Sequence, residues 1–157
     1  MQAASWGRVT FAAQWVLAIM LPVFVVVGRG LVGAELGWMA VVGIAVYGLP
    51  TILLLLAPPV LTLLDRPARA VGTVRRPYAI ATWVLWGALL VSGLTIPDSG
   101  DAGHLRSALS RWTGVSYEVS EALFYGFFGL AVLAWVASVV AAMAGLLAAR
   151  RTPTAAA

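Results

Sequence analysis

The stretch Asp65-Arg66-Pro67-Ala68-Arg69-Ala70-Val71-Gly72-Thr73-Val74-Arg75-Arg76 holds four of the chain's ten basic residues and lies between two long apolar runs. Arginines placed beside apolar runs, instead of gathered in one patch, read as a short loop that keeps a helical hairpin on one side of a bilayer. The composition agrees with that reading. Of 157 residues, 62% are apolar and only 10% charged, and the mean hydropathy is +0.96. A soluble domain carries roughly 25% charged residues. The fold class expected is an all-α membrane protein, an up-down bundle of four transmembrane helices with a short outer interfacial amphipathic helix.

Working outward from the loop, the preceding apolar run covers residues 37–64 and contains Pro50 and the pair Pro58-Pro59. Each proline removes a backbone donor and crowds the preceding turn, so a kink is expected near Tyr47 to Pro50, and a kink or an end near Pro58. Before it, residues 9–28 form a run whose clearly polar members are Thr10 and Gln14. This exceeds the 7–15 residues of a typical signal-peptide core and matches the ~20 needed to cross a ~30 Å hydrocarbon layer, so it is the first span. The turn between these spans, from Arg29 to Leu36, is short enough to make them antiparallel neighbours.

On the other side of the loop, residues 77–96 form the third span. Tyr78 suits the headgroup level, while Trp83 and Trp86 share one helix face and read as packing residues. The connecting segment 97–116 places Leu105, Ala108, Leu109 and Trp112 on one side at helical spacing, with His104, Arg106, Ser107 and Arg111 on the other. That pattern predicts a surface helix with Asp101 capping its start and Gly114 its end, and Trp112 turned toward the membrane. The fourth span covers 117–149 and contains two series of small residues spaced by four, Ala134, Ser138, Ala142 and Ala137, Ala141, Gly145. Such series let another helix backbone come close. Residues 1–149 make one domain, and 150–157 is expected to be a disordered tail.

Orientation follows from charge. With the 65–76 loop in the cytoplasm, Arg8, Arg66, Arg69, Arg75, Arg76, Arg150 and Arg151 are inside, and Arg29, Arg106 and Arg111 are outside. Among the acids only Asp65 is inside; Glu35, Asp98, Asp101, Glu118 and Glu121 are outside. Both termini are therefore expected in the cytoplasm of a bacterium, in its plasma membrane.

Motifs for chemistry are sparse. The absence of cysteine removes thiolate metal sites, iron–sulfur ligation and thiol nucleophiles, and the lone histidine leaves little for a metal centre. The candidate cluster is Asp98, Asp101, His104, Glu118 and Glu121, which gathers most of the acids and the imidazole on one face. Pro97, Gly100 and Gly103 argue against a regular helix presenting them, and the expectation is a solvated loop with no catalytic, cofactor or metal site. The cores of the four spans carry no ionisable group of the kind that marks ion pathways. The arginines do not form the single patch a nucleic-acid binder needs. The expected function is that of an accessory, assembly or scaffolding subunit, not an enzyme, acting through helix packing in the lipid bilayer. Its partner would be a membrane protein or a second copy, met through the small-residue face of the fourth span. The alternative is a transporter or channel-like protein for a lipid or small solute, centred on the proline-kinked second span.

Overall fold

The computed structural model describes residues 2–151 and is mostly helical. Four helical stretches are long and apolar enough to cross a membrane: Trp6–Val26, Trp38–Leu63, Arg76–Thr95 and Tyr117–Arg150. In chain order the elements are α1 (Gln2–Val26), a 3-10 turn (Gly28–Val32), α2 (Trp38–Val42), a π-helical turn (Gly43–Tyr47), α3 (Gly48–Leu63), α4 (Arg66–Ala70), α5 (Arg76–Thr95), β1 (Asp98–Gly100), β2 (Gly103–Leu105), α6 (Ala108–Thr113) and α7 (Tyr117–Arg151). The helix α7 continues through Arg150 and Arg151, where a disordered tail was expected to begin; residues 152–157 lie outside the described residues. At 35 residues it is roughly 52 Å long, well beyond a hydrocarbon layer.

The bundle does not follow chain order. The helix α1 packs against α3 and α5, and α7 packs against α5 and α3. Around the bundle the sequence is therefore α1, α3, α7, α5, which sets the second and third spans diagonally instead of side by side. Contacts at the helix ends give the directions. Gly7 at the start of α1 meets Val74 just before α5, so α1 and α5 run parallel. Ser120 at the start of α7 bonds Thr95 at the end of α5, so these two run antiparallel. The small-residue series Ala134, Ser138, Ala142 is buried within this bundle, and Gly145 packs on the 65–76 loop. The face expected to receive a partner is thus largely spent inside the chain.

A polar relay threads the centre. The Tyr78 hydroxyl donates to Gln14 Oε1 at 2.8 Å, Gln14 Nε2 donates to Thr62 Oγ1 at 3.4 Å, and Thr62 donates to the Pro59 carbonyl at 2.7 Å. Tyr78, read from the sequence as a headgroup-level residue, is buried within the chain, where its hydroxyl finds an acceptor on α1 and its ring packs with Val74, Ala79 and Ala142. Trp86 is buried beside Leu85 and Ala131, and Trp83 is edge-on to both Trp86 and Trp6.

The prolines of the second span behave differently from one another. Just ahead of Pro50, which offers no N–H to the Val46 carbonyl, the chain widens into the π turn Gly43–Tyr47, one of the features at which long helices bend. At Pro58-Pro59 the helix neither ends nor breaks, and α3 runs on to Leu63. Pro58 deprives the Leu54 carbonyl of its partner four residues on. The indole N–H of Trp135 on α7 donates to that same carbonyl at 2.8 Å, so the acceptor is satisfied from a neighbouring helix.

The arginine loop is ordered by one acid. Asp65 caps α4 and accepts from Arg75 Nε at 2.7 Å. The pair rests on Gly145, where an added Cβ would lie 2.9 Å from Arg75 Nε. Arg75 is thereby laid against α7, its side chain still 43% exposed.

Because Trp135 and Pro58 share one carbonyl, their effects should be coupled. Trp135→Phe is expected to destabilise the protein by about 1–3 kcal/mol, the cost of an acceptor left unpaired on a surface where lipid offers no donor. Adding Pro58→Ala restores a local donor and should recover much of the loss. Thermal unfolding in detergent across the double-mutant cycle reads this; strictly additive effects would break the assignment.

Candidate functional site

At the end of the bundle opposite the arginine loop, a buried ion pair joins Arg29 and Asp98. Arg29 is 1% and Asp98 2% exposed, so their charges have almost no water to solvate them, and each must find its partners in the protein. Arg29 Nη2 donates to Asp98 Oδ2, Nη1 donates to the Ile96 carbonyl at 3.2 Å, and Nε donates to the Val26 carbonyl at 3.5 Å. Asp98 also accepts from the backbone N–H groups of Gly37, Met39 and Ser99, each at 2.8 Å.

Helix electrostatics explains the arrangement. The guanidinium sits where α1 and α5 both end, at the negative ends of two helices, and the carboxylate sits at the positive start of α2. Gly37, the residue before α2, has no side chain to cap the helix. Asp98 supplies the missing acceptor from 61 residues away. Only glycine fits there, since a Cβ on residue 37 would come within 2.2 Å of the Ser99 carbonyl oxygen.

The other charged residues of this end are tied to the same frame. A hairpin pairs Asp98 with Leu105, Ser99 with His104 and Gly100 with Gly103. The expected surface helix over this region is therefore a hairpin followed by the six-residue α6; Ser107, not Asp101, caps α6, and Gly114 closes it with φ 74°. Asp101 instead accepts from the Trp38 indole at 3.1 Å. Glu35 and Arg106 exchange two bonds: Glu35 N–H donates to the Arg106 carbonyl, and Arg106 N–H donates to Glu35 Oε2, each at 3.0 Å. Trp112 is exposed and donates its indole N–H to the Val32 carbonyl at 2.9 Å. Ser120 donates to the Thr95 carbonyl at 2.7 Å and lies 2.7 Å from the Ser107 hydroxyl.

Of the five candidate residues, the structure brings none into a shared ligand set. Asp98 is consumed by Arg29 and backbone donors, Asp101 serves Trp38, and His104 lies against the Tyr117 ring at 4.1 Å. Glu118 and Glu121 stand at the start of α7. No group of three or more metal-capable side chains occurs among the described residues. Between β2, α6 and α7 lies a groove of about 390 Å³ whose lining includes His104, Arg106, Ser110, Ser116 and Tyr117. The buried hydroxyls beside it, Ser107 and Ser120, bond to each other and to backbone, and His104 is not paired with them. Arg29 was missed as a site residue. The signal that points to it is one arginine directly after a span, where a helix end favours a cation.

No family model matches the chain, and neither a similar curated protein nor a similar solved structure was found.

Burial pushes the Asp98 carboxyl up, but the N–H groups of Gly37, Met39 and Ser99 together with the Arg29 guanidinium outweigh it and hold the group below its ordinary 3.8. A depressed folded value means that the unfolded chain binds the proton first. The stabilisation is present in full above about pH 4 and is lost as pH falls further, through the folded value. Thermal melts in detergent should show a loss of stability below about pH 4 that Asp98→Asn flattens. At neutral pH, Arg29→Met is expected to cost about 3–5 kcal/mol by stranding the carboxylate. The double variant Arg29→Met/Asp98→Asn should cost less than the two singles summed, because a neutral amide still accepts from the α2 backbone.

Proposed function

We propose that the chain is a four-span, up-down bundle of the bacterial cytoplasmic membrane with both termini in the cytoplasm, and that it acts as a non-enzymatic accessory or assembly subunit through helix packing. The observation that carries this reading is a small-residue face of α7 left uncovered by the chain. Ala122, Gly126, Gly129, Leu133 and Ala137 share one side of the helix, opposite the buried Ala134 and Ser138, and Leu133 is 69% exposed. A Cβ at Gly126 or Gly129 would meet nothing within 4 Å. A glycine in a helix interior costs about 1 kcal/mol relative to alanine. Two of them on an open face are accounted for when another helix backbone lies close there.

The small-residue contact with a partner is thus assigned to Gly126 and Gly129, not to the Ala134 series. The short interfacial element of the proposed topology is α6 with its exposed Trp112. A transport pathway through a single copy is disfavoured by the spaces beside Tyr78, about 10 Å³ each, room for roughly one water.

In native membranes, Gly129→Leu is expected to release the protein from a larger complex recovered in gentle detergent. Gly87→Leu, at an open glycine on α5, should leave that complex intact. Recovery of the parent protein alone, or only as copies of itself around a continuous polar cavity, would overturn the subunit role. A reporter fused to the C-terminus should be active only in its cytoplasmic form; activity of a periplasm-dependent reporter would reverse the orientation.

A further inference from the structure

At the arginine-loop end, a lateral groove of about 490 Å³ lies between the starts of α1 and α5, lined by Trp6, Gly7, Val74, Arg76, Ala79, Ile80, Trp83 and Val84. We propose that this groove is a binding site for one anionic phospholipid, its headgroup held by Arg76 and an acyl chain laid along Ile80, Trp83 and Val84. The site rests on the membrane-spanning reading given above and not on the subunit role.

The groove is built, not incidental. Gly7 lets the loop lie directly on α1: a Cβ there would come within 2.3 Å of Thr73 Oγ1 and 2.9 Å of the Val74 carbonyl oxygen. The Val74 N–H donates to the Gly7 carbonyl at 3.3 Å, closing the bottom. The Trp83 indole is fixed by its N–H, which donates to Thr10 Oγ1 at 3.0 Å, and Trp6 stands edge-on to Trp83 with ring centroids 5.8 Å apart. The Trp83 wall is therefore fixed by the chain itself.

Charge selects the occupant. In the charge count that sets the orientation, seven arginines and one acid, Asp65, are assigned to the side of the membrane that holds the 65–76 loop. Asp65 is engaged by Arg75, which lies against Gly145 on α7. The neighbouring Arg76 has no ion-pair partner among the described residues and borders the groove. From Arg76 the positions 80, 83 and 84 follow along one face of α5 for roughly 12 Å. A soluble anion would leave that apolar wall uncovered, and a zwitterionic lipid would gain little from an arginine among uncompensated positive charges. An amphiphile with an anionic head uses both features, and arginine near an anionic headgroup strengthens binding about fivefold.

Native mass spectrometry of the full chain tests the proposal, using detergent micelles titrated with phosphatidylglycerol or phosphatidylcholine of identical chains. The parent should retain one phosphatidylglycerol in preference to phosphatidylcholine. Arg76→Gln should lower phosphatidylglycerol retention about fivefold with phosphatidylcholine unchanged, and Arg69→Gln, outside the groove, should behave as the parent. Trp83→Leu should weaken retention of both lipids. Equal retention of the two lipids by the parent would overturn the site, as would equal losses in Arg76→Gln and Arg69→Gln, which would mean diffuse attraction. An unchanged melting temperature in Arg76→Gln separates lost binding from lost folding.

Discussion

The buried pair of Arg29 and Asp98 fastens the open end of the bundle. Two helices that end together present unpaired carbonyls, and a third that starts beside them presents unpaired N–H groups. One cation and one anion answer both needs at once, and each shields the other from the penalty of burial. A pair of this kind is weak evidence for net stability, since the desolvation of both ions opposes their attraction. Its importance lies in specificity. The ends of α1 and α5, the start of α2 and the first residue of β1 meet in one geometry in which each nitrogen of Arg29 donates and both oxygens of Asp98 accept. Gly37 allows that geometry by letting the strand lie against the helix start.

At the other end the same logic appears in weaker form. Asp65 caps a single-turn helix and receives Arg75, which is partly exposed. A solvated pair contributes little. What the contact does is sort two adjacent arginines, turning Arg75 toward α7 and leaving Arg76 at the edge of the groove. The bundle is thus closed at one end by a buried pair that faces no solvent and at the other by a loop whose remaining positive charge stays available.

The four long helices were legible in the sequence because a bilayer-length apolar run has few other uses, and their observed ends fall within a few residues of those expected except at α1 and the tail. Their arrangement was not. Runs that are apolar all round carry no stripe to say which side meets which neighbour, so the diagonal placement of α3 and α5 could not be read from periodicity. Arg29 and Asp98 lie 69 residues apart, and each alone looks like a loop charge in water. The hairpin was half visible, in Pro97, Gly100 and Gly103 arguing against a helix. Acids gathered in sequence suggest a ligand set, yet Asp98 and Asp101 are engaged separately, one by a guanidinium and backbone donors and the other by an indole. Small-residue spacing on α7 was readable as a packing seam, but spacing alone does not tell an internal seam from an external one.

The bond from Trp135 to the Leu54 carbonyl also constrains how this chain can change over generations. Pro58 is tolerated in mid-helix because an indole from another helix answers the carbonyl it orphans. The two positions therefore have an order of replacement. Proline can be exchanged first for a residue that donates locally, and the tryptophan is freed only afterwards; the reverse order passes through an intermediate with a stranded acceptor. Among descendants of this sequence, a proline at 58 without a donor at 135 should be a rare combination, so a helix interruption in one span acts as a memory held by a side chain in another.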